Sequence, residues 1–276
     1  MEKILYVTDA VQLNIKCLDF ACFLCNLTHS RLTGVFLENL EYEARSRKAL
    51  QAAAVGTRLY GKTRKEVKEI YCEDNIQHFK EACEVRDVCC NVHHDRGVPI
   101  LEVMAESRYA DLIIIDANTS FTEEREGAPT GFVRDVLKQS ECPVVIAPES
   151  FEAIEEIIFT YDNSRSAAFA IRQFTQLFPE LRDRKVTIVS VMPPGRSTLD
   201  KYKLKEWLKD HYDDIAFEII EDRRARTRLL EYLLEKNNAF VVMGAYGRSL
   251  PSNIFSPSHG RPVVGTLSHP VFIAHN

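Results

Sequence analysis

The sequence predicts two tandem α/β domains, each a doubly wound parallel sheet of five strands, and three recurring apolar segments carry that prediction. Lys3-Ile4-Leu5-Tyr6-Val7-Thr8-Asp9 returns as Glu156-Ile157-Ile158-Phe159-Thr160-Tyr161-Asp162. Ala110-Asp111-Leu112-Ile113-Ile114-Ile115-Asp116 returns as Asn238-Ala239-Phe240-Val241-Val242-Met243-Gly244, and Cys142-Pro143-Val144-Val145-Ile146-Ala147 as His269-Pro270-Val271-Phe272-Ile273-Ala274. Short continuous apolar runs, rich in β-branched residues and bounded by polar turns, are how strands buried on both faces of a parallel sheet read. Recurrence in the same order points to duplication.

Helical patterns fall between the runs. Residues 164–178 carry Ala167, Ala168, Ile171, Phe174 and Phe178 at three- and four-residue spacing, with Ser164 placed to cap the N-terminus. Residues 13–27, 100–109 and 131–139 read the same way in the first copy, and 225–236 in the second. Residues 32–37 and 186–192 read as second strands; 88–93 and 215–220 read as third strands. Each copy is then β-α-β-α-β-α-β-α-β, the order that calls for a doubly wound sheet.

The expected domains are 1–148 and 154–276, joined by a short linker. Asp9 and Asp116 are 107 positions apart, whereas Asp162 and Gly244 are 82 apart. The first copy therefore carries about 25 extra residues before its fourth strand. We place them within 39–77, a stretch whose Ala, Lys, Arg and Glu content favours helix.

Bulk properties narrow the function classes. Among 276 residues, 45% are hydrophobic and 27% charged, and the net charge is −5. That balance suits a globular chain with a sizeable core and argues against nucleic acid as a partner. No apolar run approaches the roughly 20 residues of a membrane span, and Met1-Glu2-Lys3-Ile4 leads straight into a strand without a basic leader. The expectation is a cytoplasmic protein. All eight cysteines lie between Cys17 and Cys142. Cys22 and Cys25 form a C-x-x-C pair in an apolar stretch, which reads as two buried small side chains rather than a redox motif.

A strand ending in Asp, a strand ending in Gly and a closing Pro-Val strand resemble the universal stress protein family, here in tandem over essentially the whole chain apart from the insertion. The resemblance implies a Rossmann-like, adenine nucleotide alpha hydrolase-like fold. It also implies pairing of the two domains through their last strands, a pseudo-dimer within the chain, with a homodimer and unknown protein partners beyond it. Nucleotide-binding members carry Gly-x2-Gly-x9-Gly-Ser/Thr after the fourth strand. There, glycines admit backbone N–H groups to phosphate, and a helix N-terminus faces it. The second copy offers Gly244-Ala245-Tyr246-Gly247-Arg248-Ser249, and then Pro257-Ser258 in place of Gly-Ser. Pro257 has no N–H to give, although proline is accepted at the first position of a helix. The nucleotide-binding residues implied are Asp162, Asn163, Val191, Met243, Gly244, Gly247, Arg248 and Ser258. The ligand implied is ATP or a related adenine nucleotide, with or without Mg²⁺.

The first copy has Asp116-Ala117-Asn118-Thr119 at the equivalent turn, with no glycine and a carboxylate facing the phosphate position, and an acidic run at Thr122-Glu123-Glu124-Arg125-Glu126. No phosphate site is expected there. Gly56-Thr57-Arg58-Leu59-Tyr60-Gly61-Lys62-Thr63 matches G-x-x-x-x-G-K-[ST] literally. It lies within the insertion with no strand before it, so a turn between helices is the stronger reading. His93-His94-Asp95 offers metal-ligand types, but neighbours on a strand point to opposite sides and the sequence shows no partner cluster. No metal site and no catalytic group are assigned. The function implied is a stress-response protein acting through partners, not an enzyme, with weak ATP hydrolysis left open. A ligand-free dimerisation scaffold is the alternative, and an NTPase using Lys62 comes third.

Overall fold

The computed structural model describes residues 1–39, 63–122, 126–195, 201–244 and 269–274. The first half contains β1 (Lys3–Asp9), α1 (Ile15–Thr28), β2 (Arg31–Asn39), α2 (Arg64–Val85), β3 (Cys90–Gly97), α3 (Pro99–Ser107), β4 (Leu112–Asp116), α4 (Gly131–Gln139) and β5 (Val144–Ala147). The second contains β6 (Glu156–Thr160), α5 (Arg165–Leu177), β7 (Lys185–Met192), α6 (Lys201–Lys209), β8 (Ile215–Glu221), α7 (Ala225–Leu234), β9 (Ala239–Gly244) and β10 (Val271–Ala274). One sheet of ten strands runs β3-β2-β1-β4-β5-β10-β9-β6-β7-β8. Pairing is parallel within each half and antiparallel only between β5 and β10, where Val144, Val145 and Ile146 face Ile273, Phe272 and Val271.

The duplication extends to register. Ile4 stands opposite Leu112 and Leu32 in the first half, as Ile157 stands opposite Phe240 and Val186 in the second. Alternate side chains enter two apolar layers, one on each face of the sheet. Leu5, Val7, Ile113, Ile115, Val241 and Ile273 build one layer. Ile4, Tyr6, Ile114, Phe159, Phe240 and Phe272 build the other. An aromatic cluster spans the halves in this second layer: Phe174 meets Phe240 edge-on at 5.0 Å and Phe272 at 5.3 Å, and Phe20 of α1 meets Phe240 at 6.3 Å.

Local sequence sets the helix ends. Asn14, Thr63, Thr130 and Ser164 each accept a backbone N–H from the first turn of the following helix. Thr63 and Glu66 form a full capping box. Helix α2 then runs 22 residues and continues beyond the end of the 39–77 stretch whose composition favours helix. Its inward face of Cys72, Phe79 and Cys83 packs on β2, and Gly34 leaves the space that Phe79 fills, since a Cβ there would come within 2.8 Å of that ring. The third strand of the first half is Cys90–Gly97 rather than 88–93. Val88 ends the preceding turn with a bond to Cys83 O, while polar His94, Asp95 and Arg96 pair with Phe36, Leu37 and Glu38.

Glu156, the first residue of β6, supports the opposite end of the sheet. Its carboxylate accepts from Thr187 Oγ1 at 2.5 Å and meets Lys236 Nζ at 3.2 Å and Lys185 Nζ at 3.4 Å. Burial alone would raise its pKa, but the Thr187 hydroxyl and the two ammonium groups outweigh burial and hold it below the ordinary 4.5. A depressed carboxylate stabilises the fold fully above its unfolded pKa, and the contribution disappears as pH falls through the folded value. Glu156→Gln should therefore cost about 1–2 kcal/mol at pH 7. The gap between variant and wild type should close below pH ~4 in denaturant titrations run across pH.

Candidate functional site

In an open α/β sheet, the crevice at the carboxyl ends of the strands where their order reverses is the place where backbone and helix termini can meet a ligand. In the C-terminal half this point lies between β6 and β9. The half-buried Asp162 follows β6, Gly244 ends β9, and half-buried Val191 lies near the end of neighbouring β7. Asp162 Oδ1 accepts Ser164 N at 3.0 Å, so the chain turns at once into α5. Asn163 sits at φ 66°, a conformation asparagine tolerates, and its Oδ1 accepts the Tyr161 hydroxyl at 3.0 Å. Met243 is 2% exposed as a whole residue and belongs to the core.

Gly244 has a steric reason to be glycine. A Cβ at this position would lie 2.4 Å from Ala167 N and from Ser166 C. The end of β9 therefore runs against the first turn of α5, and no side chain fits between them. Gly247, Arg248, Pro257 and Ser258 lie outside the described residues.

The corresponding crevice of the N-terminal half, between β1 and β4, is built differently. Counting from the equivalent aspartates, the N-cap of α1 comes five positions after Asp9, whereas the N-cap of α5 comes two after Asp162. The longer loop accommodates Asp116 where the other half needs Gly244. The carboxylate of Asp116 accepts Asn14 Nδ2 at 2.5 Å through one oxygen, and Asn118 N at 3.0 Å through the other. A cleft of about 390 Å³ remains, lined by Asp9, Gln12, Asn14, Lys16, Asp116 and Asn118 among others.

The N-terminus of α4, where the resemblance places a phosphate, holds a carboxylate from the chain itself. Gly131 N donates to Glu126 Oε1 at 2.9 Å, and Ser120 Oγ donates to Glu126 Oε2 at 2.7 Å. A helix N-terminus attracts negative charge through its free N–H groups and dipole. The acidic run that reads in the sequence as an obstacle to phosphate thus supplies, through Glu126, the anion that the helix end binds.

Of the Gly56–Thr63 match, only Thr63 lies within the described residues, and its hydroxyl is committed to the capping box with Glu66. Cys22 and Cys25 are each 1% exposed, and burial raises the Cys25 thiol. His93 and His94 do point to opposite sides. His93 Nδ1 meets Glu106 Oε1 at 2.7 Å and His94 Nε2 meets Glu38 Oε1 at 2.5 Å. The partner cluster absent from the sequence pattern is supplied by the fold: Glu38 of β2 also meets Cys72 Sγ at 3.8 Å, Lys68 Nζ at 2.7 Å and Arg96 Nε at 3.1 Å. Burial opposes ionisation of Glu38, yet Lys68, His94 and Arg96 together hold its pKa below the ordinary value. Burial, reinforced by that carboxylate, pushes the Cys72 thiol up to about 12.

No family model and no curated protein matches the sequence. Solved structures do match the fold. A universal stress protein from Archaeoglobus fulgidus superposes with a TM-score of 0.69 at 17% identity, covering 99% of this chain and 98% of that one. A universal stress protein from Pseudomonas aeruginosa gives 0.54 at 14% identity, covering 100% and 93%. A functionally unknown protein from the same species gives 0.55 at 13%, covering 100% and 92%. The described residues of both halves have the universal stress protein fold. Among the described residues, no helix is long and apolar enough to cross a membrane.

Gly131, at the start of α4, and Gly244, at the end of β9, differ in what surrounds them. A Cβ on Gly131 would meet the movable end of Glu126 at 2.8 Å, whereas on Gly244 it would meet fixed backbone at 2.4 Å. Gly244→Ala should lower stability by about 2 kcal/mol or more, and Gly131→Ala by less than about 1 kcal/mol. Urea midpoints of the two variants measure the difference.

Proposed function

We infer that this chain is a non-catalytic stress-response protein of the universal stress type, binding ATP or a related adenine nucleotide in its C-terminal half and acting through protein partners. One observation supports this reading above the others: Asp162, Val191 and Gly244, separated by up to 82 positions, converge from three adjacent strands on the crevice where the strand order reverses. Asp162 offers a carboxylate to ribose hydroxyls, and Val191 an apolar edge to a base. Leu37, which the shared register sets in Val191's place in the other half, is fully buried.

The N-terminal half favours a second role within the same molecule. Its Asp116 is bonded to Asn14 and its α4 N-terminus to Glu126, so it contributes the paired strand β5 without needing a nucleotide. A ligand-free scaffold would have both halves in that condition, and Gly244 in the place of the Asn14-bonded Asp116 speaks for a difference between them.

Calorimetric titration with ATP and Mg²⁺ separates these readings. Saturable binding of one nucleotide per chain is expected, weakened about tenfold or more by Asp162→Ala and by Val191→Trp, with Asp116→Ala leaving it unchanged. No heat of binding at millimolar ATP would leave the scaffold reading in its place.

A further inference from the structure

We propose that Glu38, Cys72 and His94 form a binding site for a thiophilic divalent cation of the zinc class, joining α2 to the edge of the sheet. One carboxylate oxygen of Glu38, one thiol sulfur and one imidazole nitrogen all lie within 4.8 Å of one another, and among the described residues they are the group that offers three such donors together. They come from β2, α2 and β3, three elements fixed by independent packing. Mixed sulfur, nitrogen and oxygen donors are the set that zinc takes. With bonds of about 2.0–2.3 Å, tetrahedral donors stand roughly 3.3–3.7 Å apart. Cys72 Sγ is 3.8 Å from Glu38 Oε1, and His94 Nε2 is 2.5 Å from the same oxygen. Small side-chain movements reach the required spacing.

The two protonated donors point at one carboxylate oxygen, so hydrogen bonds hold together the groups a cation would join. On binding, the thiol proton leaves to solvent and sulfur coordinates as thiolate; His94 gives up its Nε2 proton, to solvent from an imidazolium or by exchange through water for one on Nδ1 in a neutral ring, and coordinates through Nε2 as neutral imidazole. Cys72 and Glu38 are 1% and 7% exposed, while the His94 side chain is 27% exposed. The site is thus closed toward the core and open toward water, leaving a route in and a fourth position for a water molecule.

Lys68 and Arg96 are the competitors. They neutralise Glu38 in the metal-free protein, and a plain buried ion-pair network is the rival account of the cluster. Their side chains are 18% and 51% exposed, and long cationic side chains can withdraw their heads to solvent. The site belongs to the N-terminal half alone. The shared register puts Met192 and Ile219 where Glu38 and His94 stand, and neither offers a comparable donor set.

Titration of the chelator-treated full chain with Co²⁺, followed by displacement with Zn²⁺, tests the proposal. One equivalent should bind with a thiolate-to-cobalt absorption band in the near ultraviolet. Cys72→Ser should abolish the band, and His94→Ala, at an exposed position, should weaken binding at least tenfold while circular dichroism stays unchanged. Lys68→Met should bind as tightly as wild type or more tightly. Absence of the band in wild type overturns the proposal, and so does a band unchanged in His94→Ala, which would place the cobalt on other cysteines. If Cys72→Ser fails to fold, His94→Ala and Lys68→Met still decide. None of these readouts depends on nucleotide binding.

Discussion

The antiparallel contact between β5 and β10 turns two duplicated halves into one molecule. Each half alone would end in a four-residue apolar strand with an open edge, a template for association with other chains. Joining Val144, Val145 and Ile146 to Ile273, Phe272 and Val271 removes both edges at once. It also brings Phe240 within reach of Phe20 of the first half. With the seam secured within the chain, the two crevices are held in one rigid sheet and can diverge without loss of the pairing.

Their divergence has a simple physical basis. Where β9 presses against α5, the backbone contact admits only glycine, and the short Asp162–Ser164 turn keeps the helix there. Three more positions in the β1–α1 loop accompany an aspartate at the same point of the first half, held by Asn14. Glu126 then binds at a second helix N-terminus. Charge that would repel a phosphate is here part of the fold. The polar and helix-end requirements of the N-terminal half are therefore met from within.

Much of this was legible in the sequence because burial on both faces leaves an unmistakable pattern. Ile113, Ile114 and Ile115, or Val241 and Val242, have no polar neighbour to alternate with, and Ser164 announced the helix that it caps. Legibility failed where side chains face both solvent and core. In β3, polar His94, Asp95 and Arg96 continue the strand because β2 supplies their backbone partners, and propensity gave no sign of it. The length of α2 was hidden by its charged outer face. Glu126 and Glu38 were invisible for a different reason: their partners are Gly131, Ser120, Cys72 and His94, and only the fold brings these together. The glycine at 244 was legible as a position but not in its cause, which is the backbone of α5.

Hydrogen exchange measured by mass spectrometry, with and without ATP and Mg²⁺, tests the central claim of unequal crevices in a single experiment. Exchange should slow in peptides covering residues 161–167, 189–193 and 242–248, and stay unchanged in those covering 116–131. Protection of 116–131, or of neither region at saturating nucleotide, would contradict it.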